Sequence, residues 1–103
     1  MIQAIKTKKS KAACASECRR LEQIPNIGPA AAADLRLMGI TEPQQLRDDD
    51  AFGLYQKLCE LTNQRHDPCV LDTLMAAVDF MNGAAAAPWW KYTALRKKKY
   101  SKV

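Results

Sequence analysis

Apolar residues in this chain recur at helical spacing, and the central body has no convincing run of alternating β-branched residues at strand spacing. The pattern predicts helices with little or no sheet. Ala12 to about Gln23 reads as a first helix, with Ala13, Leu21 and Ile24 as its apolar contacts and Pro25 as its stop. A second helix opens at Pro29, where the missing N–H costs little, and runs to about Met38. Ala31, Leu35 and Met38 share one face, and Gly39 follows as a stop. Thr41-Glu42-Pro43-Gln44 has the form of a capping box ahead of a short helix through Leu46. Asp48, Asp49 and Asp50 offer caps for a helix over about Ala51 to Thr62, with Leu54, Leu58 and Leu61 on one face. Asp67-Pro68 repeats the cap-then-proline signature before a strongly apolar helix to Met81. Val70, Leu71, Leu74, Ala77, Val78 and Met81 make it the central core helix, and Asn82-Gly83 ends it. Ala84 to Pro88 reads as a linker, with Trp89-Trp90 anchoring it back on the body.

Composition narrows the class. At 103 residues and 48% hydrophobic content, the chain suits one domain with a modest core. No stretch approaches the roughly 20 apolar residues of a membrane span, and no apolar signal core follows the basic start. A cytoplasmic protein with no membrane partner is therefore expected. The formal net charge of +5 is unevenly distributed. Met1 to Glu22 holds six basic and two acidic residues, and Lys91 to Val103 holds six basic residues and no acid. Gln23 to Trp90 holds four basic residues against nine acidic ones. Basic arms on an acidic body suit a polyanion, though solubilising tails have the same composition.

One stretch adds chemistry: Ile24-Pro25-Asn26-Ile27-Gly28-Pro29, followed by a run of alanines. Asn26 and Gly28 tolerate the left-handed backbone of a tight hairpin, and Ile27 points inward between them. The helix that begins at once would leave its first N–H groups at the hairpin tip, a potential phosphate site. The stretch resembles the helix-hairpin-helix motif. With Leu35, Gly39-Ile40, Leu46, Leu54-Tyr55, Leu58-Cys59, Asp67-Pro68-Cys69-Val70-Leu71 and Trp89-Trp90, the segment from Leu21 to Trp90 resembles a small bacterial helix-hairpin-helix family. That family is labelled pathogenicity-locus or mitomycin-resistance protein. The chain is more distantly similar to the C-terminal domain of TfoX competence regulators.

With the helical pattern and the charge distribution, the resemblance leads to an expected all-α fold: a compact bundle of about five helices containing the motif, with a basic arm over residues 1–11, the domain over 12–90 and a basic tail over 91–103. It also implies that Asn26, Ile27, Gly28, Pro29 and Ala30 contact a DNA phosphate without reading sequence. Asn26 stands where the motif usually has its first glycine, and Pro29 removes one backbone donor. The cations expected to add attraction are Lys91, Arg96, Lys97, Lys98, Lys99 and Lys102.

The leading functional expectation is sequence-independent DNA binding with a link to DNA-damage resistance. The alternative is a protein-interaction module, favoured by the acidic middle. Cys14, Cys18, Cys59 and Cys69 read first as reduced thiols. A structural zinc site, with His66 as a further ligand, or a Cys59–Cys69 redox pair are the other readings. Otherwise no cofactor is implied. Cys14 and Cys18 fall outside the resemblance, and His66 reads as a turn residue. With one histidine and no nucleophile elbow or phosphate-binding Gly-rich loop, the chain does not read as an enzyme.

Overall fold

Proline placement and short polar caps set the main helices of the computed structural model, which describes residues 11–101. Helix α1 spans Pro29–Leu37, with Pro29 in its first turn. It ends where Gly39 takes a φ of +90°, and the Ile40 N–H reaches back to the Leu35 carbonyl. Helix α2 spans Ala51–Thr62, and the Asp50 carboxylate accepts from the Phe52 N–H. Its C-terminus turns through Asn63 in the left-handed region. Helix α3 spans Pro68–Met81, capped by Asp67, which accepts from the Cys69 N–H. These three match the predicted elements to within a residue.

The short element at Pro43–Leu46 is a 3-10 turn, and its box is shifted by one residue. The Gln45 side chain, not Gln44, accepts from the Thr41 and Glu42 amides. Gln44 instead donates to the Cys18 carbonyl at 3.1 Å.

The predicted first helix does not form. Ala15–Glu17 and Leu21–Gln23 are two isolated 3-10 turns, with Cys18 and Arg20 extended between them. Two causes are visible. Cys18, Leu21, Ile24 and Ile27 are all buried at a strict spacing of three, a period that a 3.6-residue helix would carry off its face. The Gln23 side-chain oxygen also accepts from the Arg19 and Arg20 amides, taking donors that a continuous helix would use. Ala13 is exposed, and Ala12 is buried in its place, its N–H on the Gln23 carbonyl at 2.8 Å.

A fourth α-helix appears where a tail was expected. Trp89–Tyr92 forms a 3-10 turn that leads into helix α4, Thr93–Lys99. The architecture of the described residues is thus all-helical, with four α-helices and no strand. Helix α3 is the hub, packing on α2, on the Trp89–Tyr92 turn and on α4. Its Leu71, Leu74, Met75, Ala77, Val78, Phe80 and Met81 are buried. The core also takes Leu54, Tyr55 and Leu58 from α2, whereas Leu61 is half exposed.

Helix α4 is held by a polar contact inside the core. Asp72 is completely buried on α3, amid apolar neighbours. Its carboxylate accepts from Arg96 Nε at 2.7 Å, from Arg96 Nη2 at 3.5 Å and from the Thr93 hydroxyl at 2.7 Å. Beyond the helix, the Tyr100 ring stacks on Phe52 at 4.6 Å between centroids.

Candidate functional site

The Ile24–Gly28 turn precedes α1 directly. Asn26 has a φ of +74°, the left-handed backbone predicted for it, whereas Gly28 is extended. Ile27 is fully buried and pins the turn to the core. Gly28 brings no side chain to cap α1. The first-turn amides of Ala30 and Ala31 lie too early in the helix for intrahelical acceptors. Pro29 and Ala30 are exposed.

The Asn26 side chain does more than tolerate its backbone. Its amide donates to the Ala87 carbonyl at 2.8 Å, and its carbonyl accepts from the Trp89 N–H at 3.3 Å. The turn is thereby tied to the end of the alanine linker. Trp89 is half-buried beside this tie and acts as the anchor, but Trp90 is 61% exposed. The two indoles meet edge to face, with centroids 5.7 Å apart and planes at 84°.

Beneath the turn lies a cation. Lys11 Nζ donates to the carbonyls of Glu22 at 2.7 Å, Ile24 at 3.2 Å and Ile27 at 2.7 Å. Burial pulls this ammonium below its ordinary pKa, with Cys18 and Glu22 opposing. The three carbonyl acceptors favour its charged form. Across the turn, Arg36 of α1 makes a two-pronged contact with Glu22, both bonds 3.0 Å. The guanidinium holds the Glu22 carboxyl below its usual range.

The expected cations divide into two groups. Lys91, Lys97, Lys98 and Lys99 are exposed. Arg96 is buried and committed to Asp72, whose hydrogen bonds raise the guanidinium pKa further. The structure therefore removes Arg96 from the surface set. It also removes Lys11 from the basic arm, because its charge is spent on turn carbonyls. Lys102 and residues 1–10 of that arm lie outside the described residues.

The four cysteines are unpaired thiols. Cys14 is exposed, Cys18 is buried, and Cys59 and Cys69 are half-buried. Burial pushes the Cys18 thiol up, and burial with the neighbouring Asp67 does the same for Cys69. Among the described residues, no three His, Cys, Asp or Glu side chains gather as a metal set. Cys59 Sγ accepts from the His66 N–H at 3.5 Å, and the His66 ring pairs with the Thr62 hydroxyl at 2.8 Å. Tyr55 donates its hydroxyl to the His66 carbonyl. His66 thus serves the turn between α2 and α3. Of the three aspartates, Asp50 caps α2, Asp49 accepts from the Asp50 N–H, and Asp48 donates its own N–H to Asn82. No helix of the described residues is long and apolar enough to cross a membrane.

Comparison with known proteins places this geometry in a family. Residues 14–98 match the family described as "Pathogenicity locus". This chain belongs to the pathogenicity-locus family. The match reaches into α4, and it includes Cys14 and Cys18, which lie outside the Leu21–Trp90 resemblance. Over 78 residues the chain is 46% identical to the mitomycin resistance protein McrB of Streptomyces lavendulae, covering 76% of this chain and 74% of that relative. No solved structure gives a significant match.

Sequence reasoning missed three things here: the Lys11 contact, the Asn26 tie and the Asp72–Arg96 pair. The last left a signal. Tyr92, Arg96 and Tyr100 are spaced i, i+4, i+8 in the lysine-rich segment, and an aspartate interrupts the apolar helix that they pack on.

Proposed function

We propose that this member of the pathogenicity-locus family binds DNA without reading its sequence, through the Ile24–Gly28 turn and the cations of the C-terminal segment. The reading keeps the helix-hairpin-helix resemblance as the source of the phosphate contact. The supporting observation is the Asn26 bridge to Ala87 and Trp89, which seats the turn beside the segment that carries Lys91 and α4. The phosphate contact falls to the backbone of Gly28 and Ala30, because Ile27 is buried and the Asn26 side chain is occupied. Lys91, Lys97, Lys98 and Lys99 supply the long-range attraction. A relative named for mitomycin resistance accords with a role on damaged DNA.

A salt series tests this. Neutralising about four phosphates of a duplex gives a slope of about −3.6 in log affinity against log salt. Replacing Lys91, Lys97, Lys98 and Lys99 with Gln should flatten the slope, with helicity unchanged. That quadruple variant is preferable to truncation at Lys91, which would remove Arg96 and strand Asp72 in the core. Binding that is absent, or indifferent to salt, overturns the reading.

A further inference from the structure

We propose that Trp90 is a stacking platform for unpaired bases, so that the preferred ligand is single-stranded DNA rather than intact duplex. The inference rests on the DNA-binding reading above and adds the class of DNA. Every other aromatic ring is engaged within the fold. Phe80 and Tyr55 are buried, Phe52 and Tyr100 stack on each other, Tyr92 packs against the core, and Trp89 is half-buried. Trp90 alone turns its indole outward, at 61% exposure.

The ring is not loose. It meets Trp89 edge to face, and the Trp89 backbone N–H donates to the Asn26 side chain. A pre-set ring loses little freedom when a ligand covers it. Its neighbour Lys91 is exposed, and the segment from Lys91 onward carries no acid. An exposed aromatic plane next to Lys91, at the start of a lysine-rich segment, fits a polyanion that also offers flat apolar faces. A single strand provides both features, whereas a duplex hides its base faces in the stack. An acidic peptide would satisfy the lysines but leave the indole uncovered.

The experiment measures affinity and tryptophan fluorescence with three probes: an oligothymidine strand, an abasic strand of equal length, and a duplex with hairpin-closed ends. The wild-type protein should bind oligothymidine most tightly, with quenching that the abasic strand fails to produce. Trp90→Ala should weaken oligothymidine binding roughly 5- to 150-fold and leave abasic-strand binding unchanged. Trp90→Phe, which keeps a ring, should recover part of the loss. Circular dichroism of each variant should match wild type, because so exposed a ring contributes little to the core. If the oligothymidine affinity of Trp90→Ala equals that of wild type while salt-dependent binding persists, the platform is wrong and DNA binding stands. If no probe binds at low salt, both proposals fall.

Discussion

Asn26 carries two roles that can be separated. It holds a left-handed backbone and it bridges to Ala87 and Trp89. Asn26→Gly keeps the backbone geometry and cuts the bridge, whereas Asn26→Ala loses both. Each lost hydrogen bond is worth about 0.5–1.5 kcal/mol, and a non-glycine residue in the left-handed region costs about 1–2 kcal/mol. Asn26→Ala should therefore be the less stable variant by urea denaturation. Asn26→Gly should preserve the turn yet raise amide exchange at Trp89. The first role was legible in the sequence, because asparagine next to an expected bend implies positive φ. The second was not, since no local pattern links residue 26 to residues 87 and 89.

Among the elements, α2 and α3 were legible to the residue because each follows an aspartate whose carboxylate caps it by accepting from a first-turn amide. Helix α4 was not, because an arginine and three lysines in succession look fully solvated. Asp72 is its buried polar anchor. Asp72→Asn leaves the Arg96 charge buried without its counter-ion, so stability should fall by about 3–5 kcal/mol. Hydrogen exchange should report the earliest opening over Thr93–Lys99. The double variant Asp72→Leu, Arg96→Met should regain most of the loss, since a packed apolar pair can substitute for a buried ion pair. Failure of the double variant to regain stability would mean that the hydrogen-bonded geometry, including Thr93, is needed to seat the helix. The missing first helix shows the opposite error. Ala13, Leu21 and Ile24 suggest a helix face, but the buried set is Cys18, Leu21, Ile24 and Ile27, whose spacing of three suits tight turns.

For the whole molecule, the spacing of apolar residues identified an all-helical fold, but net charge misdescribed its surface. Arg96 is buried against Asp72, and the exposed Lys11 spends its ammonium on turn carbonyls. Two carboxylates are pulled below their ordinary range, Glu22 by the Arg36 bonds and Asp67 by the Cys69 amide. For such a group, the folded state gains stability above the unfolded pKa. That gain disappears as pH falls through the lower folded value. The urea midpoint should hold steady near neutrality and drop below about pH 4. Glu22→Gln should lower the midpoint at neutral pH and make the acid-side decline shallower. An equally steep decline in that variant would assign the acid sensitivity elsewhere.

The Lys11 contact bears on every such titration. Three peptide carbonyls are satisfied by an ammonium that belongs to the chain itself. A tethered ion has a fixed effective concentration, so it is neither diluted nor exchanged when the buffer changes. Swapping potassium for sodium or choline leaves the turn's own counter-charge in place. In the salt series that tests the proposed DNA binding, a change of cation should therefore report ions released from the nucleic acid rather than a reshaped turn.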